Sequence, residues 1–285
     1  MAVNRETLDI EGLLRFYAEA GVDMPLSETP LDRFAEPQRS VPSQPTAQIS
    51  NSPESARQQQ PRPAPTPAPT SRPVQAAADL PDTAQIALAR EAAAQASTLE
   101  ELREKLAAFD GCNLKFTAKN LCFADGDPSS DIMFIGEAPG RDEDMEGLPF
   151  VGKSGQLLNR MIESIGLKRE SVYIANTIPW RPPGNRTPTP LETELCRPFI
   201  ERQIELASPK VLVALGGPAG KALTGATEGI LRLRGNWKIH RTPNGLEIPV
   251  MPTLHPAYLL RTPAQKRFAW RDFLAVKLKL AELIS

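Results

Sequence analysis

Residues 131–155, DIMFIGEAPGRDEDMEGLPFVGKSG, contain an apolar run that passes directly into a Gly and Pro turn, an acidic cluster and the segment Pro-Phe-Val. The run 131–136 is typical of a buried strand, and the residues after it have the composition of a pocket rather than of a linker. Ligands of sheets covered by helices bind beyond the carboxyl ends of the strands. This stretch therefore predicts a strand and, directly after it, a candidate site.

Residues 147–154, GLPFVGKS, also match the pattern G-x-x-x-x-G-K-S of a phosphate-binding loop. Such a loop joins a strand directly to a helix and needs small residues whose backbone N–H groups face the phosphates. Here the strand ends well upstream, and Pro149, Phe150 and Val151 fill the loop with bulk. The strands VYIANT and VLVALGG also lack the Asp that would assist a magnesium ion. This context disfavours an ATPase. The ATPase hypothesis would require ATP hydrolysis that is lost when Lys153 is changed.

Beyond Gly111, apolar strands alternate with helical patterns, and the strand VLVAL is continuously apolar. This alternation indicates a parallel sheet covered by helices on both faces. The fold class predicted is α/β, a three-layer α/β/α arrangement with a central four-stranded parallel sheet. The predicted strands are 131–136, 171–178, 210–215 and 248–253, and the predicted helices are about 153–165, 190–206, 218–224 and 263–284.

The first third of the chain has a different organisation. Residues 1–29 contain a short amphipathic helix, either a docking segment for a protein partner or an incidental local helix. Residues 30–81 are rich in Pro, Ser, Gln, Thr and Ala and predict a disordered linker. The domain 82–285 begins with a helix capped by Asp82, and Ser97 with Glu100 predicts a capping box for a second helix.

Composition and charge limit the class of protein. No apolar run approaches a membrane span, and the residues MAVNRETLDIEG lack the apolar core of a signal peptide. We therefore expect a cytoplasmic monomer without a membrane association. The net charge is -1, but residues 230–285 hold ten basic and three acidic side chains. This basic region is either a footprint for a phosphate backbone or an ordinary solvated face.

Polar side chains follow each predicted strand. Glu137 and an acidic cluster follow the first, Asn176 lies at the end of the second, a Gly-Gly-Pro turn follows the third, and His255 follows the fourth. Because these ends share one edge of the sheet, an amide, a carboxylate, an imidazole and the ring of Phe150 are expected to converge there.

With these blocks in place, the whole of 112–285 resembles the family 4 uracil-DNA glycosylases. The matching blocks are GEAPG with E-D and G-x-P-F-V-G-K-x-G (136–155), N-x-x-x-x-R-P-P-x-N-R-x-P (176–188), the third strand with its Gly turn, and H-P-A-Y-L-L-R (255–261). Their order and spacing together make the resemblance specific. It implies an enzyme that flips uracil out of DNA and hydrolyses its N-glycosidic bond, which initiates base excision repair.

The resemblance also implies roles. Phe150 would stack on the flipped base, Asn176 would read its edge, and His255 would donate to uracil O2. Glu137 and Glu143 are rival groups for positioning water, because Ala138 stands where some related glycosylases carry a water-activating Asp. Further substrate contacts are implied for Ala138, Gly140 and Asn185.

Contacts to DNA are implied for a further set of residues. Leu259, Leu260 and Arg261 would form a loop that enters the duplex behind the flipped base. Candidates for phosphate contacts are Lys153, Ser154, Arg186, Lys266 and Arg267, for each of which an ordinary solvated charge is the alternative.

The family normally holds an iron-sulfur cluster on four cysteines, and here the pattern breaks. Cys112 and Cys196 stand in matching places, but Lys115 and Trp180 replace the other two ligands. Such clusters need four protein ligands, so we predict that no cluster and no metal bind. We expect uracil-containing DNA as the partner and a DNA glycosylase as the function. A protein that binds uracil or abasic DNA with little or no turnover is the alternative.

Overall fold

The protein is described by a computed structural model over residues 82–284. The predicted helix within residues 1–29 and the predicted linker 30–81 lie outside these described residues. Within 82–284, no helix has the length and apolar character needed to cross a membrane.

A six-stranded sheet forms the centre of the described region. Its strands are β1 Asp125–Gly126, β2 Ile132–Gly136, β3 Tyr173–Asn176, β4 Val211–Leu215, β5 Lys238–Arg241 and β6 Glu247–Thr253. The spatial order is β1-β3-β2-β4-β6-β5. The four inner strands pair in parallel, which confirms the predicted parallel centre. The short edge strands β1 and β5 pair antiparallel to β3 and β6 and were not predicted.

Helices connect the parallel strands. They are α1 Asp82–Ala94, α2 Leu99–Ala108, α3 Leu114–Thr117, α4 Arg141–Glu146, α5 Lys153–Ser164, α6 Pro190–Ala207, α7 Gly217–Thr224, α8 Ile230–Leu233, α9 Pro256–Arg261 and α10 Lys266–Ile284, with 3₁₀ turns at Arg169–Ser171, Pro183–Asn185 and Pro263–Gln265. The long helices α5, α6 and α10 lie where the sequence predicts them.

The sheet divides the core into two layers, because alternate side chains of a strand point to opposite faces. On one face, Phe134 packs with Leu158 of α5 and Phe273 of α10. On the other face, Ile135 packs with Ile200 of α6. This arrangement is the predicted three-layer α/β/α fold.

Helix α2 begins one residue later than the predicted capping box implies. Thr98 is the N-cap, and its Oγ1 accepts a hydrogen bond from the backbone N–H of Glu101 at 3.1 Å. Ser97 lies outside the helix, and its backbone N–H and hydroxyl donate to the Glu101 carboxylate at 2.7 and 2.6 Å. The predicted pair Ser97 and Glu100 is therefore wrong, because Thr98 caps the helix and the carboxylate that bonds to Ser97 is that of Glu101.

Candidate active site

A cleft of about 450 Å³ lies where the parallel strands β2, β3 and β6 end. Glu137 directly follows β2, Asn176 is the last residue of β3, and His255 follows β6 after one intervening residue. The predicted site residues that line this cleft are Glu137, Ala138, Gly140, Glu143, Phe150, Ser154, Asn176, Asn185, Arg186, His255 and Arg261. The predicted convergence of polar groups at one sheet edge is therefore observed in the structure.

The floor of the cleft depends on Gly136, the last residue of β2. A Cβ at this position would lie 2.4 Å from Asn176 Oδ1 and 2.5 Å from Phe150 Cζ. A Cβ atom does not come this close to a non-bonded atom, so a side chain here would displace one of the two groups. The absence of a side chain at residue 136 lets the amide and the aromatic ring approach the same point.

Phe150 presents its ring inside the cleft and is only 4% exposed. The ring centroid lies 5.5 Å from that of His255, with an angle of 31° between the planes. The backbone of Phe150 has a φ of 54°, a left-handed conformation that is uncommon for a bulky residue. A buried ring on a strained backbone indicates that the surrounding structure fixes its orientation.

Asn176 is buried at the end of β3, and its Oδ1 atom has no hydrogen-bond partner among residues 82–284. An unpaired buried amide oxygen costs about 1–3 kcal/mol. Nearly all buried polar atoms in proteins are satisfied, and an exception in a cleft is typical of a group that awaits a ligand donor. The structure thus leaves the Asn176 oxygen available to an N–H group of a bound molecule.

His255 is the N-cap residue of α9, and its Nδ1 atom accepts a hydrogen bond from the backbone N–H of Ala257 at 3.1 Å. An accepting Nδ1 requires that the ring proton reside on Nε2. Burial, followed by the charge of Arg261, lowers the pKa of the His255 ring to about 4. At neutral pH the ring is therefore a neutral N–H donor.

The two rival carboxylates differ in their bonding. The Glu143 carboxylate accepts from the backbone N–H groups of Gly140, Val151 and Gly152 at 3.0–3.1 Å. It therefore joins the loop after β2 to the loop before α5. Glu137 lines the same cleft, its carboxylate has no hydrogen-bond partner within the described range, and burial raises its pKa. Glu137 is the carboxylate that is free to act on a bound molecule.

The rim of the cleft carries Asn185 and Arg186, and both have intramolecular partners. The Asn185 Oδ1 atom accepts from Arg181 Nε at 2.7 Å, and the Asn185 backbone has a φ of 56°. The Arg186 guanidinium forms two hydrogen bonds with the Glu192 carboxylate, at 2.6 and 2.8 Å. Arg186 is thus held in place at the rim with its charge largely balanced.

The segment predicted as a DNA-entering loop is the helix α9. Leu259 is 1% exposed and packs with Leu254 and Ala269, whereas Leu260 is 43% exposed. Successive residues of a helix are rotated by about 100°, so one of these neighbours can face the core while the next faces solvent. Leu259 therefore differs from expectation, since its position supports a core-packing role and leaves Leu260 and Arg261 at the surface. Lys153 is exposed on the first turn of α5, outside the cleft lining.

The residues at the four positions of the family's cluster do not form a four-thiolate set. Cys112, Cys196 and Trp180 are buried together in one apolar cluster. The Lys115 ammonium pairs with Asp110 at 2.5 Å. No group of three or more His, Cys, Asp or Glu residues within 82–284 is arranged to hold a metal ion. Two thiols, a paired ammonium and an indole do not fit an iron-sulfur cluster.

Cys122 also has a structural environment. Its thiol is buried and donates to the backbone carbonyl of Glu143 at 3.1 Å. Burial, and then the charges of Asp144 and Glu143, raise the pKa of the Cys122 thiol to about 12. A thiol that stays protonated at neutral pH is a poor nucleophile and a poor metal ligand.

Two residues that the sequence does not single out bear on the site. Gly136 shapes the floor, and Arg169 contacts the loop that carries Phe150 from outside the cleft. Gly136 belongs to the GEAPG motif, but the motif does not reveal its role, because its spatial neighbours Phe150 and Asn176 are distant in sequence. Arg169 lies in no motif, so no local signal indicated it.

Comparison with known proteins agrees with this geometry. The model of the Uracil DNA glycosylase superfamily matches residues 123–279. A protein of Sulfurisphaera tokodaii named type-4 uracil-DNA glycosylase is 38% identical over 188 residues, which cover 63% of this chain and 84% of that protein. Proteins of the same name from Archaeoglobus fulgidus and Thermotoga maritima are 38% and 40% identical. These two alignments cover 62% and 57% of this chain, and 90% and 83% of the relatives. The chain therefore belongs to the uracil-DNA glycosylase superfamily and, within it, to the type-4 enzymes, as its four sequence blocks indicate.

Proposed function

We propose that this protein is a monofunctional uracil-DNA glycosylase that flips uracil out of DNA and hydrolyses its N-glycosidic bond. The relatives' shared name supports this function. The observation that carries the assignment of roles is the cleft itself, where an unpaired amide oxygen, a neutral imidazole N–H and a buried aromatic ring converge. These are the groups needed to read the edge of a flipped base, to stabilise it as it leaves and to stack on its face.

Recognition of the base is proposed for Phe150 and Asn176. The ring of Phe150 stacks on the flipped uracil. Stacking alone does not select uracil, because every base has a π-face. The Asn176 oxygen accepts from uracil N3–H, and the Asn176 amide NH₂ donates to O4. Cytosine reverses both groups and would leave the buried Asn176 oxygen unpaired. Ala138 and Gly140 supply the small surface beside the base.

Stabilisation of the leaving base is proposed for His255. As the bond between C1′ and N1 breaks, its electron pair stays on the uracil ring and negative charge grows on O2. The Nε2–H group of His255 donates to this oxygen, and the hydrogen bond strengthens as the charge develops. The ring donates from Nε2–H in its neutral form, while its Nδ1 atom accepts from the backbone N–H of Ala257, so no change of protonation state is needed.

Activation of water is proposed for Glu137. The water oxygen bonds to C1′ on the side opposite the departing base, and the Glu137 carboxylate accepts one of its protons. A pKa raised by burial makes this carboxylate a stronger base than a solvated one. Glu143 is proposed as a positioning residue, because its carboxylate is already engaged by three backbone N–H groups.

Binding of the DNA strand is proposed for the exposed residues around the cleft. Leu260 and Arg261 at the end of α9 would act as the wedge behind the flipped nucleotide, and their exposure supports this role. Lys153 and Ser154 lie in the first turn of α5, where backbone N–H groups and the helix dipole favour a phosphate. Lys266 and Arg267 would add positive charge near the strand, and Arg186, although paired with Glu192, would offer its remaining N–H groups to a phosphate.

We also propose that the enzyme works without an iron-sulfur cluster. Trp180 fills the position of one missing ligand by packing against Cys112 and Cys196. Purified protein is expected to show neither stoichiometric iron nor the visible absorbance of such a cluster. Finding both would overturn this proposal without affecting the assigned roles of the cleft.

The function is tested with a uracil-containing oligonucleotide under multiple-turnover conditions, followed by cleavage of abasic sites with alkali. The unmodified protein is expected to turn over, and Asn176→Ala and His255→Gln to lose about 100-fold or more in rate. His240→Gln is the matched control, since His240 is also buried but lies outside the cleft lining. Tight binding without turnover by the unmodified protein would establish the binding-only alternative. Full activity in both cleft variants would overturn the assigned roles.

A further inference from the structure

The backbone at Phe150 is held in a conformation that its own sequence does not favour. Its φ of 54° lies in the left-handed region, where a residue with an aromatic side chain is strained. The following turn packs tightly, since a Cβ at Gly155 would lie 1.8 Å from the Phe150 carbonyl oxygen. Some group outside this loop must therefore stabilise the conformation that aims the ring into the cleft.

Arg169 supplies these contacts. Its Nη2 atom donates to the carbonyl oxygen of Pro149 at 2.7 Å, and its Nη1 atom donates to that of Phe150 at 2.9 Å. The Nη1 atom also donates to Asn159 Oδ1 on α5 at 2.9 Å. Two consecutive carbonyl groups are thus fixed by one planar guanidinium, in a geometry that the single point charge of a lysine cannot reproduce.

Arg169 is itself fixed by Asp125 on the edge strand β1. The Asp125 Oδ2 atom accepts from Nε at 2.7 Å and lies 2.6 Å from Nη2. Both side chains are largely removed from solvent, which strengthens the ion pair. The Arg169 guanidinium therefore bonds on one side to Asp125 at the sheet edge and on the other side to the loop that carries Phe150.

We infer that Arg169 is a positioning residue for base recognition, because it holds the Phe150 ring in the orientation that stacks on the flipped base. This inference rests on the proposed function. Arg169 is not among the residues that line the cleft, so it acts through the loop and does not touch the base. Its removal should release the strained backbone and let the ring leave its stacking position.

The test compares Arg169→Gln and Arg169→Lys with a matched control, Arg202→Gln. Arg202 donates twice to the backbone carbonyl of Ala96, at 3.0 and 2.8 Å, and pairs with Glu205 at 2.8 Å. It therefore performs a similar backbone-holding role away from the cleft. Melting temperature, affinity for abasic DNA and the single-turnover rate on uracil-containing DNA are measured for all three variants.

Both Arg169 variants are expected to lower the single-turnover rate by about 10-fold or more, because each loses aromatic stacking on the base. Their affinity for abasic DNA should stay close to that of the unmodified protein, because the target nucleotide of abasic DNA has no base for Phe150 to stack on. Arg202→Gln should lower the melting temperature to a similar extent and leave the rate unchanged. Equal rates in Arg169→Gln and Arg202→Gln, or full rescue by Arg169→Lys, would overturn the inference.

A double-mutant cycle with Phe150→Ala separates positioning from general stability. If Arg169 acts through the Phe150 ring, adding Arg169→Gln to Phe150→Ala should cause no further loss of rate. Multiplying losses would show that Arg169 acts elsewhere and would overturn the inference.

Hydrogen exchange over residues 147–155 gives a readout that does not depend on activity. Arg169→Gln should speed exchange in this loop, and Arg202→Gln should not. Unchanged exchange in Arg169→Gln would overturn the inference. An inactive unmodified protein would contradict the proposed function alone, because the exchange measurement would still decide whether Arg169 holds the loop.

Discussion

The two histidines of this chain are predicted to be neutral at pH 7 and to carry their protons on opposite ring nitrogens. In His255, Nδ1 accepts from the Ala257 N–H, so Nε2 is protonated. In His240, Nδ1 lies 2.9 Å from the carbonyl oxygen of Leu223, which can only accept, so Nδ1 is protonated. Two-dimensional ¹H–¹⁵N NMR on histidine-labelled protein distinguishes these tautomers, and a His240→Gln variant assigns the two signals.

The pKa of about 4 for His255 has a consequence for stability that can be measured. An unfolded histidine titrates near 6.5, so between about pH 6.5 and pH 4 the unfolded chain binds a proton that the folded protein excludes. The stability that the neutral ring contributes is therefore present above pH 6.5 and is lost as the pH falls toward 4. Between pH 7 and pH 5 the expected loss is about 2 kcal/mol, from the difference between the two pKa values.

Urea unfolding of the unmodified protein and of His255→Gln isolates this effect, because the other titrating groups are common to both. The difference in unfolding free energy between the two proteins should fall by about 2 kcal/mol between pH 7 and pH 5. The NMR signal of His255 should also stay neutral through pH 5.5, and the single-turnover rate should not fall near pH 6.5. A His255 signal that titrates near 6.5, or one protonated on Nδ1 at neutral pH, would refute the assignment of a neutral Nε2–H donor.

Three further predictions follow from the contacts of individual residues. Glu137→Gln should lower the single-turnover rate by about 100-fold or more without changing stability. Glu143→Gln should instead lower the unfolding free energy by about 1–3 kcal/mol, because it weakens three partly buried hydrogen bonds. The reverse pattern would exchange the roles of the two carboxylates. Gly136→Ala should abolish turnover and cost about 1–3 kcal/mol of stability by overpacking the cleft. A fully active variant would show that Phe150 and Asn176 can move to accommodate a side chain at residue 136. Trp180→Ala should cost about 3–5 kcal/mol in urea unfolding, because a 2% exposed indole leaves a cavity. A loss below 1 kcal/mol would show that Trp180 does not support the fold in place of a cluster.

The central sheet could be predicted because its inner strands are short continuous apolar runs separated by helical patterns. The edge strands β1 and β5 could not be predicted in this way. In β5, only His240 is buried, so the strand lacks an apolar signal of its own. Strand β1 has two residues and pairs with Ile174 and Tyr173, which are almost fifty positions away in sequence. Both edges form because a neighbouring strand offers free hydrogen-bonding groups, which is information that local composition does not contain.

The chemical groups of the cleft could be predicted for the same reason as the sheet, since they directly follow the inner strands. Their bonding could not. Glu143 and Glu137 have the same side chain and lie in the same motif, yet one is engaged by three backbone N–H groups and the other is unpaired within the described residues. Likewise, the side chain of Leu259 points inward and that of Leu260 outward because α9 begins at its N-cap His255 and fixes the helical phase.

The orientation of the Phe150 ring is the least local feature of the cleft. The motif supplies Phe150, but its backbone conformation is held by Arg169, which is held in turn by Asp125 on an edge strand that has no sequence signal of its own. A strained residue persists only where several independent contacts act on it together. On the inferred role of Arg169, the two-residue strand β1 affects base excision through Asp125. Asp125→Asn should therefore lower the single-turnover rate on uracil-containing DNA, as Arg169→Gln should.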